Sequence, residues 1–253
     1  MENIVNNEET YLYHCTNENG LISILNSKHF RYSYCLEEYD GLKDGFGKEL
    51  IAYAMVCFAD LNKNELPRHM KQFNSVAYLI MDSEWAKAKN ISPVIYYHKN
   101  GLSNIAFNSL AKIVVKLCEH NMGDKEELLL KTIELFRPFL KKYEGHYYNK
   151  LTGEKSFETV KFFLEREWRS FPIVQNYERY FLSKNDYLNQ ELKSKEIELL
   201  ENNGVVLEFE WDNIIKIGCH KNPATKVLEI ITKTYGIKSE DAFRKIEIID
   251  SVN

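Results

Sequence analysis

Two stretches of the 253-residue chain carry side chains whose types and spacing suit chemistry. The first is YLYHCT at residues 11–16, with GLISIL starting at residue 20. On an extended strand His14 and Thr16 share a face, because side chains alternate from one residue to the next. An imidazole and a hydroxyl at a strand end, beside a helix start, can grip a ribose. The plain alternative is a half-buried strand histidine with a satisfied hydrogen bond next to a capping threonine. The second stretch is Glu165-Arg166-Glu167-Trp168-Arg169. If extended, it puts Glu165, Glu167 and Arg169 on one face and Arg166 and Trp168 on the other. One carboxylate there could polarise a sugar hydroxyl or stabilise an oxocarbenium-like transition state, with flanking charges holding its geometry. The plain alternative is a ladder of ion pairs on a solvated face, with Trp168 in the core.

Other chemistries lack their signatures. The five cysteines (15, 35, 57, 118 and 219) are scattered, with no CxxC pair, and no HExxH occurs, so no metal site is expected. The adjacent pairs His14/Cys15 and Cys219/His220 would point to opposite strand faces. There is no GxxxxGK[ST] loop and no GxSxG elbow. An odd, dispersed cysteine set fits a reducing cytoplasm. The N-terminal MENIVNNEET lacks the basic and apolar regions of a signal peptide, and no apolar run approaches a membrane span. A formal charge of −4 argues against a generally basic nucleic-acid binder.

The elements that must position these residues read as one α+β unit over residues 1–253. The sheet is mixed and mostly antiparallel, with a mid-chain helical insertion at about residues 102–155. Strands are expected at Tyr11–Cys15, His29–Cys35, Tyr53–Phe58, VAYLIM, PVIYYH, VVLEFEW and NIIKIGCH. Helices are expected after Thr16, Asn17 or Asn19 as cap, over NELPRHMKQF, over DSEWAKAKN capped by Asp82 or Ser83, and from Ala224 to Tyr235. The tract from about Tyr180 to Asn203 reads as a charged surface helix, and EEYDGLKDGFGKE as a loop. FNSLAKIVVKLCEH and KEELLLKTIELF have helical spacing, and Pro138 should break the second helix. His98, His120 and His146 read as surface or helix-face residues. Cys35, Cys57 and Cys219 read as buried small hydrophobes.

YHCTNENGLISIL, RYSYCLEE, MVCFADL, EWAKAKNISPVIYYH, FLEREWRSF and LEFEWDNIIKIGCHK resemble the AbiGi family of bacterial abortive-infection proteins, over roughly residues 11–230. That resemblance implies a role on the antitoxin side of a phage-resistance system. The Y-H-x-T opening with its following helix is also similar, more distantly, to the ADP-ribosyltransferases. Glu165-x-Glu167 resembles the paired glutamates of their arginine-modifying members. By that second resemblance NAD would be the cofactor. His14 and Thr16 would hold its ribose, Tyr32 or Tyr34 would stack on the nicotinamide, and Arg31 and Arg169 would bind it too, Arg31 meeting a phosphate. Glu167 would be the catalytic carboxylate and Glu165 would activate the acceptor. Cys15 stands where many of these enzymes carry glycine. Two functions follow. One is an NAD-consuming effector that modifies a nucleic acid or protein. The other is a non-catalytic antitoxin or sensor that binds a toxin, a phage component or a nucleotide.

Overall fold

In the computed structural model, residues 9–39, 49–98, 100–120, 123–172 and 181–249 are described. The chain opens with strand β1 (Thr10–Thr16), and Asn17 then caps helix α1 (Glu18–Ser27) by accepting from the Gly20 amide at 2.7 Å. Leu21 and Leu25, one turn apart, bury the inner face of α1. The expected strand His29–Cys35 is two strands, β2 (His29–Arg31) and β3 (Ser33–Tyr39), separated at Tyr32. Strand β4 (Glu49–Asn62) follows, longer than YAMVCF suggested. Of the expected loop EEYDGLKDGFGKE, residues 37–39 belong to β3 and Glu49 to β4, and 40–48 lie outside the described residues.

Helix α2 (Leu66–Gln72) has its proline in the first turn, where no amide hydrogen bond is lost. Strand β5 (Ala77–Met81) is buried at every position. Asp82 caps α3 (Ser83–Ala88), accepting from the Glu84 and Trp85 amides. Short strands β6 (Ser92–Pro93) and β7 (Ile95–Tyr97) lead to helices α4 (Leu102–His120) and α5 (Asp124–Phe136). Pro138 sits in a single 3-10 turn that ends α5, as its missing amide requires. The helical part of the expected insertion therefore stops at Phe136. Strand β8 (Leu140–Lys142) and a hairpin bridged at Gly145–Val160 and Tyr148–Lys155 follow.

Strand β9 (Glu167–Ser170) begins later than the extended reading of residues 165–169 required, because Phe162–Glu165 form a 3-10 turn. Strand β10 (Phe181–Ser183), helices α6 (Lys184–Leu188) and α7 (Gln190–Asn202), strands β11 (Val206–Glu208) and β12 (Ile214–Cys219), helices α8 (Lys221–Tyr235) and α9 (Ser239–Lys245), and strand β13 (Ile246–Ile248) complete the chain. The charged tract after Tyr180, itself outside the described residues, is thus mostly helical. Its helices nonetheless bury Tyr187, Glu196 and Leu200.

Among the described residues the main sheet runs β13-β12-β5-β1-β4-β9-β6, and all its pairings but β12–β13 are antiparallel. β4 serves two sets of partners. Its first half pairs with β3 and β10, and its second half with β1 and β9. That arrangement carries Glu37 on β3, Cys57 on β4 and Glu167 on β9 into one neighbourhood. The main core packs α1, α3 and α8 against the sheet through Leu21, Phe30, Phe58, Leu79, Trp85 and Ile231. Gly218 on β12 is there of necessity, since a Cβ would lie 2.1 Å from the Tyr78 ring.

Candidate functional site

A cavity of about 920 Å³ opens beside the junction of β1, β4 and β9. It is the size of an ordinary small-molecule or cofactor pocket. His14 and Thr16 line it from the end of β1, and Glu165 and Glu167 line it from the turn before β9 and from the start of β9. Cys35, Cys57 and Glu37 line it from β3 and β4, and His69 from α2. The hairpin after β8 contributes Tyr147, Tyr148, Lys150 and Lys155.

Charge at the cavity floor is organised around two buried cations. Lys141 Nζ lies 2.8 Å from Glu165 Oε2, 2.5 Å from Glu167 Oε2 and 3.7 Å from Glu37 Oε1. Arg169 is fully buried. It donates from Nε to Glu167 Oε1 at 2.8 Å, from Nη2 to Glu167 Oε2 at 3.0 Å and from Nη1 to Glu37 Oε2 at 2.9 Å. Its guanidinium also meets Glu37 Oε1 and the Pro138 carbonyl. The Tyr147 hydroxyl and the Gln72 amide donate to Glu165 Oε1, and Tyr39 donates to Glu37 at 2.9 Å. Three carboxylates thus face two cations, with hydroxyl and amide donors on the outer oxygens.

Local backbone explains how neighbouring glutamates reach one ammonium. Arg166 adopts a left-handed conformation, φ 41°, between the 3-10 turn and β9. Its side chain is held by the Asp60 carbonyl at 2.6 Å and by a two-pronged pair with Glu65. The chain therefore turns at Arg166 and presents Glu165 and Glu167 to Lys141 from two sides. Strand alternation would put both on one face; the two do meet, but a turn brings them together.

The ionisation of each group follows from this packing. Burial pushes the Glu167 carboxyl up, yet Arg169 and Lys141 outweigh it and hold the group well below the carboxylate range. Burial raises Glu165 above its ordinary value, with Lys141 opposing the shift. Burial disfavours charge on Lys141 and Arg169, but their carboxylates keep both firmly protonated. His69 is pushed down to about 4, chiefly by burial and then by Lys141. His14 is also lowered by burial; its Nδ1 lies 3.0 Å from the Cys57 carbonyl, so the neutral ring carries its proton there. Phe30 and Phe58 pack on that ring at 4.8 and 5.6 Å between centroids.

The other residues singled out from sequence are divided between the core, the cavity wall and rim, and the space behind the floor. Tyr32 and Tyr34 belong to the main core and do not line the cavity; the Tyr32 hydroxyl bonds Ser170 Oγ at 2.8 Å. Neither tyrosine is placed to stack on a ligand there, because both are buried in the main core, Tyr32 between β2 and β3 and Tyr34 on β3. Arg31 lies at the cavity rim and is paired with Glu201 at 2.7 Å. Arg169 lies behind the floor, holding Glu167 and Glu37 instead of facing the cavity. Of the three mid-chain histidines, His98 stacks on Tyr143 and lines the cavity with His146; the His120 side chain lies outside the described residues. Cys219 is buried as expected, whereas Cys35 and Cys57 are half-buried cavity residues.

Lys141, Glu37, Tyr147 and His69 were not apparent from sequence. Glu37 falls in a stretch that reads as a loop, Lys141 lies on β8, His69 on α2 and Tyr147 in the hairpin after β8, and only long-range packing brings them to the glutamates. The one available signal was compositional: a double lysine in the apolar segment FLKKY, whose first lysine turns inward.

A family model described as "Putative abortive phage resistance protein AbiGi, antitoxin" matches residues 28–218. The chain belongs to the AbiGi family. The AbiGi match spans Glu37, Lys141, Glu165, Glu167 and Arg169, so the whole charged floor lies within it, while His14 and Thr16 lie before it. No curated protein and no solved structure matches the chain. No helix among the described residues is long and apolar enough to cross a membrane.

Proposed function

We propose that the chain is a non-catalytic, antitoxin-side component of a phage-defence system, a protein that binds a cognate toxin and does not turn over a cofactor. The supporting observation is the state of Glu167. Three of its roughly four acceptor positions are taken by Lys141 and Arg169, and its charge is matched by both. A carboxylate that must stabilise an oxocarbenium-like centre needs charge that is not already neutralised, and a general base needs a pKa near the working pH. Glu167 has neither property. Glu165 is likewise bonded by Lys141, Tyr147 and Gln72. The cluster reads as a scaffold that joins β3, β8 and β9 beneath the cavity.

A second reading keeps the reaction. It is favoured by one observation: His14, Thr16, Glu165 and Glu167 all line the same nucleotide-sized cavity. On that reading NAD would be consumed and a nucleic acid or protein modified.

Nicotinamide release separates the two. Purified protein incubated with NAD should release nicotinamide no faster than buffer, and NAD should leave the melting temperature unchanged. In cells, His14→Ala and Glu165→Gln should preserve phage resistance. Nicotinamide release that disappears in either variant would overturn the binding reading and establish the enzyme.

A further inference from the structure

Helix α4 is apolar on two faces. Its inner face, Phe107, Ala111 and Val114, packs on Ile133 of α5. Its outer face shows Ala106, Leu110, Ile113 and Leu117, of which the last three are 52%, 56% and 48% exposed. Both sets repeat with the 4-3 spacing of a coiled-coil seam. On α5 the exposed Leu128, Thr132 and Leu135 repeat the same way. A surface helix of a globular protein has one apolar stripe; a helix with two belongs inside a bundle. Among the described side chains, the core shared by α4 and α5 is Phe107, Ala111, Val114, Ile133 and Phe136, and α4 packs chiefly on α5. Two helices with a shared seam and further apolar seams facing outward have the pattern of half a four-helix bundle.

We infer that the missing half is the same hairpin of a second copy, and that the chain dimerises through the outer faces of α4 and α5. The area fits. Six large apolar side chains on the outer faces, Leu102, Leu110, Ile113, Leu117, Leu128 and Leu135, are between 37% and 85% exposed. At roughly 100 Å² per aliphatic side chain they present on the order of 350 Å² of apolar surface. Homodimer interfaces are about 65% apolar, so this corresponds to about 500 Å² per partner and roughly 1,000 Å² in all, the size at which a specific interface begins. A short peptide would leave most of that surface wet. A two-fold axis near Leu110 sets the seam of one α4 against its own reverse, so the patch needs no complement other than itself. Ala106 lets the two backbones approach closely.

Light scattering coupled to size exclusion, on the full chain between about 1 and 50 µM, measures the outcome. The expected result is twice the chain mass. The double substitution Leu110→Glu with Ile113→Glu should weaken the association at least tenfold and yield a monomer whose circular-dichroism helix content is unchanged. If the double variant loses helix content, Leu110→Gln alone serves as the reporter and should also shift the protein toward monomer. A parent protein that stays monomeric at the highest concentration overturns the inference and leaves the face to another protein. A dimer that survives the substitutions overturns the assignment of this surface.

Discussion

Replacing Lys141 by methionine tests the charged floor most directly. The substitution keeps an unbranched side chain one atom shorter and removes the charge. Glu165 and Glu167 then lose the ammonium that lies 2.8 and 2.5 Å away, in a site where the lysine side chain is 9% exposed. Breaking a buried pair by removing one partner costs about 3–5 kcal/mol, because the other charge is left uncompensated. In a chain of this size each kcal/mol moves the melting temperature by roughly 2–4 °C, so a drop of about 10 °C is expected. The drop should depend on pH, and its direction follows from the carboxyls. In the parent protein Glu167 is depressed below its ordinary value of 4.5, so its contribution is present above that value and lost only on acidification through the lower folded value. Without Lys141 both carboxyls move upward, Glu165 most, since burial already raises it. A carboxyl whose folded pKa lies above the unfolded one destabilises the protein at neutral pH and recovers as pH falls through the folded value. The gap between parent and variant should therefore be smaller at pH 5 than at pH 8, by about 1–2 kcal/mol, which corresponds to one pKa unit or slightly more. Differential scanning calorimetry at the two pH values reads both quantities. Lys87→Met, which removes an exposed pair with Glu84, is the control and should cost under about 0.5 kcal/mol. A Lys141 variant that melts within about 2 °C of the parent, or a gap that does not change with pH, would refute the account of the floor.

The two glutamates should respond unequally. Each variant leaves two carboxylates facing two cations, but Glu165 meets Lys141 alone whereas Glu167 bonds both Lys141 and Arg169; chemical denaturation should show Glu165→Gln within about 1 kcal/mol of the parent at pH 7, while Glu167→Gln should cost about 3–5 kcal/mol because it weakens the charge pairing of both buried cations. His69, lowered to about 4, resists protonation in the folded state, so stability should fall as pH drops from the ordinary imidazole value near 6.5 toward 4. A histidine NMR titration should place this ring's midpoint near 4, and His69→Phe should flatten that part of the stability profile.

Much of the fold was legible because it is local. The Asn17 and Asp82 caps, the helix stop at Pro138 and the apolar runs of β4 and β5 are each written within a few residues. Errors arose where tertiary pairing overrode pattern. The segment HFRYSYC alternates as one strand, yet its halves pair with different partners, β2 with β11 and β3 with β4. Tyr32 and Tyr34 were stacking candidates through the resemblance to the ADP-ribosyltransferases alone; burial in the main core takes both instead. Residues 162–170 could not be assigned from period alone, since a 3-10 turn and a left-handed Arg166 interrupt the alternation.

The candidate site divides in the same way. Residue types and spacing alone marked His14, Thr16, Glu165 and Glu167, because short-range alternation selects polar groups that share a face. What the chain order could not encode was electrostatic state. Lys141 and Arg169 reach Glu37 and Glu167 only after β3, β4, β8 and β9 have assembled, and burial then makes each charge depend on its partners. Proximity in sequence supplied the carboxylates; long-range packing supplied the cations that neutralise them.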